Sequence, residues 1–132
     1  MTWTFTIFYD VGLTCQNVPG HWATKGKAAK AARNAGFRAW LDAGSPKTRQ
    51  RCRVSAIVRR RRLLDPLNLP GACKNVFDGV LVGRLLPGTR MLVPALLPDD
   101  SAEWCEAGPI TQELLPKGEG EPVVVLTVEE LP

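Results

Sequence analysis

Acidic residues and one lysine in the second half of the chain have the types and spacing that hydrolytic chemistry requires. They are Asp65, Lys74, Asp78 and the adjacent pair Asp99 and Asp100. Oxygen ligands are the ones that Mg²⁺ prefers and Mn²⁺ also accepts, and such ions activate water and neutralise charge on a phosphate. We therefore predict a metal-dependent site for phosphodiester hydrolysis, with Asp65, Lys74 and Asp100 as its catalytic residues. The candidate metal ligands are Asp65, Asn68, Asp78, Asp99 and Asp100.

Basic residues precede this acidic set. The net charge is +4, and thirteen of the seventeen lysines and arginines lie between Lys25 and Arg62, where Asp42 is the only acid. After Asp99 the chain has eight acids and a single base, Lys117. A positive first half suits a polyanion such as DNA. The predicted DNA-binding residues are His21, Trp22, Lys25, Lys27, Lys30, Arg59, Arg60, Arg61, Arg62 and Lys74.

Each of these features also has a simpler interpretation. An isolated aspartate is more often a solvated residue or a helix cap than a ligand, and the Pro66 that follows Asp65 is typical of a turn. Lys74 and Asp78 are four residues apart, as in a surface ion pair of a helix. A run of arginines is often just a solvated face. The case for a site depends on all of them occurring together.

Five elements must position these residues. Alternating β-formers from Trp3 to Phe8 predict a first strand, and the amphipathic pattern of residues 24–42 predicts a helix whose small residues allow close approach to a sheet. Alternation over residues 51–59 predicts a second strand, and Pro70 suits the first turn of a second helix. The strand that opens after Pro122 is apolar on both faces, which predicts an interior strand covered on both sides.

The remaining segments are predicted to be mostly irregular. Residues 83–98 contain four prolines or glycines after Gly83 and should form a loop with at most a short strand, while residues 101–121 should hold a short extended piece and then a linker. The fold class is therefore α/β (α+β), a small mixed β-sheet with two main helices packed on it, in one domain of 132 residues.

Other classes of protein fit the sequence less well. The four cysteines are scattered, so neither a disulfide framework nor a zinc site with short ligand spacing is predicted, and reduced thiols are expected. The N-terminus lacks the pattern of a secretory signal, and no apolar run reaches the length of a membrane span. We expect an intracellular, cytoplasmic protein with no membrane partner.

A family resemblance follows from these motifs. The basic run, Asp65-Pro66-x-Asn68-Leu69, Lys74, Asp78-Gly79 and Pro98-Asp99-Asp100-Ser101 together resemble the RusA-type Holliday junction resolvases, especially versions from phages and prophages of actinobacteria. The segment from Asn17 to Trp22, before the basic helix, is also similar to the N-terminal region of that family. The resemblance covers most of residues 3–128.

The resemblance implies an endonuclease that resolves four-way DNA junctions as a homodimer with magnesium or manganese, in a bacterial or phage-infected cell. It assigns metal binding to Asp65 and Asp100 and a role in cleavage to Lys74. Asp78 matches an acid that recurs in the family and has a less defined role. Two departures stand out. Leu67 occupies the position of a second family aspartate, and residues 83–98 contain an insertion.

Two alternatives to a nuclease stay open at this stage. Because Leu67 cannot bind a metal, the chain could be a catalytically weak module that binds junctions or other DNA. A small protein-interaction domain that uses the acidic C-terminal part and the proline-rich insertion is the third possibility. Salt-dependent DNA binding would argue against that third possibility.

Overall fold

A four-stranded mixed sheet with two helices forms the body of the molecule. The computed structural model describes residues 1–14, 22–99 and 101–132, and within the second range it describes side chains from residue 26 onward. The four strands of the sheet are β1 (Thr2–Ile7), β2 (Cys52–Arg60), β5 (Cys105–Leu114) and β6 (Val123–Glu130), and the helices are α1 (Trp22–Asp42) and α2 (Leu69–Leu81). A 3₁₀ turn spans Val11–Thr14, and a small hairpin pairs β3 (Arg84–Leu85) with β4 (Leu92–Val93). The predicted α+β class is confirmed.

The strand order is β1-β6-β2-β5. The last strand of the chain, β6, pairs antiparallel with both β1 and β2, whereas β5 runs parallel to β2 at the sheet edge. A register shift interrupts the β2–β5 pairing between Val54 and Ala56, opposite the segment that contains Pro109. Proline lacks an N–H donor and is tolerated in an edge strand or at a bulge, so both features suit this position.

One face of the sheet carries the core. Phe5 and Ile7 of β1, Val58 of β2, and Leu126 and Val128 of β6 are each exposed by no more than 1%. The same alternation leaves the other set of side chains in these strands at the second face.

That second face corrects one expectation for β6. We predicted that this strand is covered on both sides, but Val125 and Thr127 are only half-buried. Apolar residues on both faces of a strand therefore indicated its central position in the sheet, and they did not indicate a second covering layer.

The two helices touch through glycines. A Cβ atom built on Gly36 of α1 would overlap sterically with the carbonyl oxygen of Val76. One built on Gly79 of α2 would lie 2.7 Å from the backbone nitrogen of Phe37. The small residues of α1 were expected to allow close approach to the sheet. At Gly36 they allow close approach to α2 instead, because only a residue without a side chain lets two backbones come this near.

Candidate functional site

The first half of the arginine run is engaged in ion pairs. Arg59 Nε donates to Glu113 of β5 at 2.9 Å, and Arg60 Nε donates to Asp10 at 2.6 Å. The second pair is partly buried, with side-chain exposures of 17% for Arg60 and 33% for Asp10. These two cations are largely compensated by carboxylates of the same chain. Their predicted role in phosphate binding is correspondingly weakened.

Arg61 and Arg62 have exposed side chains beyond the end of β2. Arg61 Nη2 donates to the carbonyl of Gly120 at 3.0 Å, a neutral partner that leaves its charge uncompensated. Within residues 1–14, 22–99 and 101–132, no carboxylate oxygen lies within 4.0 Å of a guanidinium nitrogen of either arginine. Of the four arginines, these two are the best placed to bind a phosphate.

A glutamine connects the arginine run to the sheet. The side chain of Gln112 accepts from the backbone N–H of Leu64 at 2.8 Å and donates to its carbonyl at 3.0 Å. Gln112 lies in β5 opposite Val58 of β2. These two bonds hold the loop before α2 against the sheet edge, and nothing in the local sequence pattern around Gln112 indicates them.

Asp65 lies at the beginning of α2. Its Oδ1 accepts from the backbone N–H of Leu67 at 2.8 Å, which is the short-range bond of an aspartate turn. Its backbone carbonyl accepts from the N–H groups of Asn68 and Leu69 at 2.9 and 3.1 Å. Asn68 is the residue before the helix and makes no side-chain bond to the helix end. Asp65 is thus the exposed turn residue that Pro66 suggested, and in the chain it lies three residues after the exposed Arg62 and three residues before Asn68.

Leu67 occupies the position of the second family aspartate. Its side chain is 91% exposed. At this degree of exposure the leucine makes little contact with the described residues, so an aspartate in its place would meet no steric obstacle among them.

Lys74 and Asp78 form the ion pair that their spacing predicts. Lys74 Nζ donates to Asp78 Oδ1 at 2.8 Å, and the side chains are 59% and 16% exposed, respectively. The low exposure of Asp78 makes this carboxylate less hydrated than a typical surface acid. The Asp78 carboxylate therefore holds the Lys74 ammonium group close to the surface of α2 in this conformation.

Asp99 lies at the other end of α2. The N–H groups of Leu96 and Leu97 donate to the carbonyls of Val80 and Leu81 at 3.1 and 2.8 Å, which fixes this segment at the C-terminal end of the helix. Two residues later, Asp99 Oδ1 accepts from the N–H of Ser101 at 2.8 Å. Asp100 is outside the described residues.

The length of α2 separates the candidate ligands. Nine residues from Leu69 to Asp78 span about 14 Å along the helix axis, whereas two oxygens bound to one Mg²⁺ lie within about 4 Å of each other. Asp65 and Asp78 therefore do not reach one ion together, and Asp99 is still farther along the helix. Within the described parts of the chain, no three His, Cys, Asp or Glu residues are grouped as a metal site. The described donor set of a single chain does not fit Mg²⁺ or Mn²⁺.

The predicted DNA-binding residues of α1 are spread along that helix. Lys27 and Lys30 are exposed, while His21 and the side chains of Trp22 and Lys25 are outside what the structure describes. Lys30 lines a groove together with Arg33 and Arg84, two cations that the sequence pattern did not single out. The groove forms because the hairpin of residues 84–93 folds against α1, a contact between distant parts of the chain.

Cys52 and Cys73 are buried thiols. Burial raises the pKa of the Cys73 thiol to about 12, and burial together with the nearby Glu130 charge raises the pKa of Cys52 to about 11. Cys105 is half-buried, and Cys15 is outside the described residues. In the part of the chain that the structure covers, no helix is long and apolar enough to cross a membrane.

A scan against protein-family models and a search of curated proteins find no match to this chain. The resemblance to the junction resolvases therefore rests on the motifs alone.

Proposed function

We propose that this protein is an endonuclease for branched DNA, and that its acidic site is assembled from two copies of the chain. The observation that carries the proposal is the placement of the resolvase-like motifs at the two ends of α2. The Asp65 motif lies at the N-terminal end, and the Asp99 motif lies at the C-terminal end. In a single chain these ends stay apart.

A dimer with two-fold symmetry would bring the Asp65 motif of one copy close to the Asp99 motif of the other. If the axis passes beside the middle of α2 and is perpendicular to it, the N-terminal end of one helix faces the C-terminal end of its partner. Asp65 and Asn68 of one copy would then approach the Asp99 and Asp100 segment of the other, and such an arrangement repeats twice. Two equivalent sites related by a two-fold axis match the near two-fold symmetry of a four-way junction, which is the expected substrate.

The chain's own residues would act on the DNA in distinct ways. Exposed Arg61 and Arg62 would bind backbone phosphates beside Asp65, and these contacts would position the strand. Lys74 would stabilise charge on the phosphate, provided that it leaves Asp78 for the substrate. Magnesium or manganese would supply an activated water in this reaction. The described residues of one chain do not by themselves fit such an ion.

Mixing two inactive variants tests the proposal. Asp65→Asn and Asp100→Asn should each abolish nicking of a synthetic four-way junction in Mg²⁺ while junction binding persists. When the two variants are unfolded together and refolded, half of the dimers contain one copy of each, and one of their two sites has all its aspartates. About a quarter of the wild-type number of sites should return.

The outcome separates the shared site from a site within one chain. In the second case every site of the mixed dimer lacks one aspartate, so mixing restores nothing. An active wild type with no recovery on mixing would contradict the two-copy site. A wild-type protein that leaves junctions intact in both Mg²⁺ and Mn²⁺ would contradict the nuclease itself.

The second candidate is a DNA-binding module with weak catalysis. The exposed Leu67 favours it, because this position carries no ligand where the resolvase motif has an aspartate. Leu67→Asp adds a carboxylate at an unobstructed surface site, and Leu67→Asn is its uncharged control. If Leu67→Asp alone creates or sharply raises junction cleavage, the missing carboxylate is the defect. Tight junction binding with no cleavage by either variant would indicate a different role.

A further inference from the structure

We infer that the groove between α1 and the 84–93 hairpin binds one or two nucleotides of a single-stranded DNA segment. The groove has a volume of about 460 Å³. Volumes of about 300–1,000 Å³ are typical of sites for small ligands, so the groove suits an unpaired nucleotide and is too small for a duplex. The inference relies on the proposed function only for the choice of DNA as the polynucleotide.

The charge of the groove suits a phosphate. Lys30, Arg33 and Arg84 contribute three positive charges to its lining, and none of the described residues that line it is acidic. Arg33 Nε donates to the carbonyl of Gly83 at 2.6 Å, a neutral acceptor. No carboxylate lies within the 4.0 Å ion-pair limit of these three cations among the described residues. Their charge is therefore available to an anionic ligand, in contrast to the charge of Arg59 and Arg60.

Arg84 is held in position before any ligand binds. Its guanidinium carbon lies 5.5 Å from the centroid of the Phe37 ring, and its Nη1 donates to Asn34 Oδ1 at 3.1 Å. A guanidinium fixed in this way loses less conformational freedom when it binds a phosphate or stacks against a base. The ring and the amide thus prepare Arg84 for a ligand.

The other walls of the groove suit a base and a sugar. Leu85 and Leu86 of the hairpin are 53% and 44% exposed, and they form an apolar wall with Pro87. Asn34 and Asn75 add amide groups that donate and accept hydrogen bonds. A site with cations, an apolar wall and amides matches the three parts of a nucleotide.

The groove adjoins the candidate catalytic surface. Asn75 is three residues before Asp78 in α2, and residues three apart are neighbours on a helix surface. A strand that leaves the groove past Asn75 would therefore reach the Lys74–Asp78 pair. This gives the insertion at 83–98 a role, because the hairpin forms one wall of the groove.

Binding of a fluorescent dT12 oligonucleotide in EDTA tests the inference without any cleavage. Lys30→Gln and Arg84→Gln should each weaken binding by about ten- to a hundredfold, which is typical of a lost hydrogen bond to a charged group. Each should also reduce the slope of log affinity against log salt by about 0.7. Lys117→Gln removes the same charge from an exposed turn outside the groove and should change affinity less than twofold.

Two further measurements decide the nature of the ligand. Addition of dT12 to the labelled wild-type protein should shift the side-chain amide NMR signals of Asn34 and Asn75, a result that needs no variant to fold. Thymidine monophosphate should compete with dT12 more effectively than inorganic phosphate. Groove variants that bind dT12 as well as Lys117→Gln does, or unchanged amide signals at saturation, would overturn the inference. Equal competition by inorganic phosphate would reduce the groove to a simple anion site and would also overturn it.

Discussion

Substitution of Gly79 by alanine should destabilise the protein because α1 and α2 meet at this glycine. The new Cβ would overlap sterically with the Arg33 carbonyl oxygen and would lie 2.7 Å from the Phe37 nitrogen, whereas ordinary van der Waals contacts begin at 3.4 Å. Relief of the Phe37 contact alone requires a separation of about 0.7 Å, and the Arg33 oxygen, which is closer, requires more. A gap of this size removes roughly a quarter to a half of the dispersion energy of each contact between α1 and α2.

The expected magnitude follows from two opposing effects. Overpacking of a tight interior costs about 1–3 kcal/mol and occasionally more, and here both obstacles are backbone atoms that cannot rotate away. The higher helix propensity of alanine offsets up to about 1 kcal/mol. We expect a net loss of about 2–3 kcal/mol in the free energy of unfolding. With a urea m-value of about 1–3 kcal/mol/M, the unfolding midpoint should fall by about 0.7–3 M.

Gly26→Ala is the matched control for this experiment. Gly26 also lies within a helix, but a Cβ there would meet no atom of the described residues within 4 Å. The same substitution should therefore stabilise the protein by up to about 1 kcal/mol. Urea unfolding monitored by circular dichroism measures both variants. A midpoint for Gly79→Ala that equals or exceeds the wild-type value would refute the assignment of this close helix contact.

Three further predictions concern single side chains. The hydrogen bond from Thr48 at 2.6 Å lowers the pKa of Glu130 from its ordinary value of 4.5, with a smaller contribution from the N-terminal ammonium group. Thr48→Val should raise that pKa in an NMR titration. Because the pKa of Glu130 is lowered in the folded state, the stability that this bond contributes is present above about pH 4.5. It is lost as the pH falls through the folded-state pKa. Cys73, with its pKa of about 12, should react with a thiol reagent at pH 8 only after unfolding, as mass spectrometry of the labelled peptides would show. Gln112→Ala removes both bonds to the Leu64 backbone and should speed amide exchange in the loop that carries Asp65, whereas unchanged exchange would contradict the role of Gln112.

Local periodicity predicted the regular elements well. The helix predicted over residues 24–42 is α1 (Trp22–Asp42), the strand predicted over 51–59 is β2 (Cys52–Arg60), and the helix expected from Pro70 is α2 (Leu69–Leu81). Each has an apolar stripe whose spacing is visible within a few turns or residues of the chain. The hairpin of residues 84–93 was only partly expected, as a loop with at most a short strand.

The strand β5 escaped sequence reasoning. Its ten residues include Gly108 and Pro109 and alternate weakly, so the segment was predicted to be a short extended piece and a linker. It becomes a strand because it pairs in parallel with β2, about fifty residues earlier in the chain. Backbone hydrogen bonds of this kind depend little on the local pattern of side chains.

The residues of the candidate site and their chemistry came from the sequence by itself, because the kinds of side chain and their spacing are local properties. Only the tertiary structure decided which of them lie together. It joined Arg59 and Arg60 to carboxylates, left Arg61 and Arg62 with exposed charges, and created a basic groove that includes Arg84. It also placed the acidic motifs at opposite ends of α2, since the length of a helix sets the distance between its two ends.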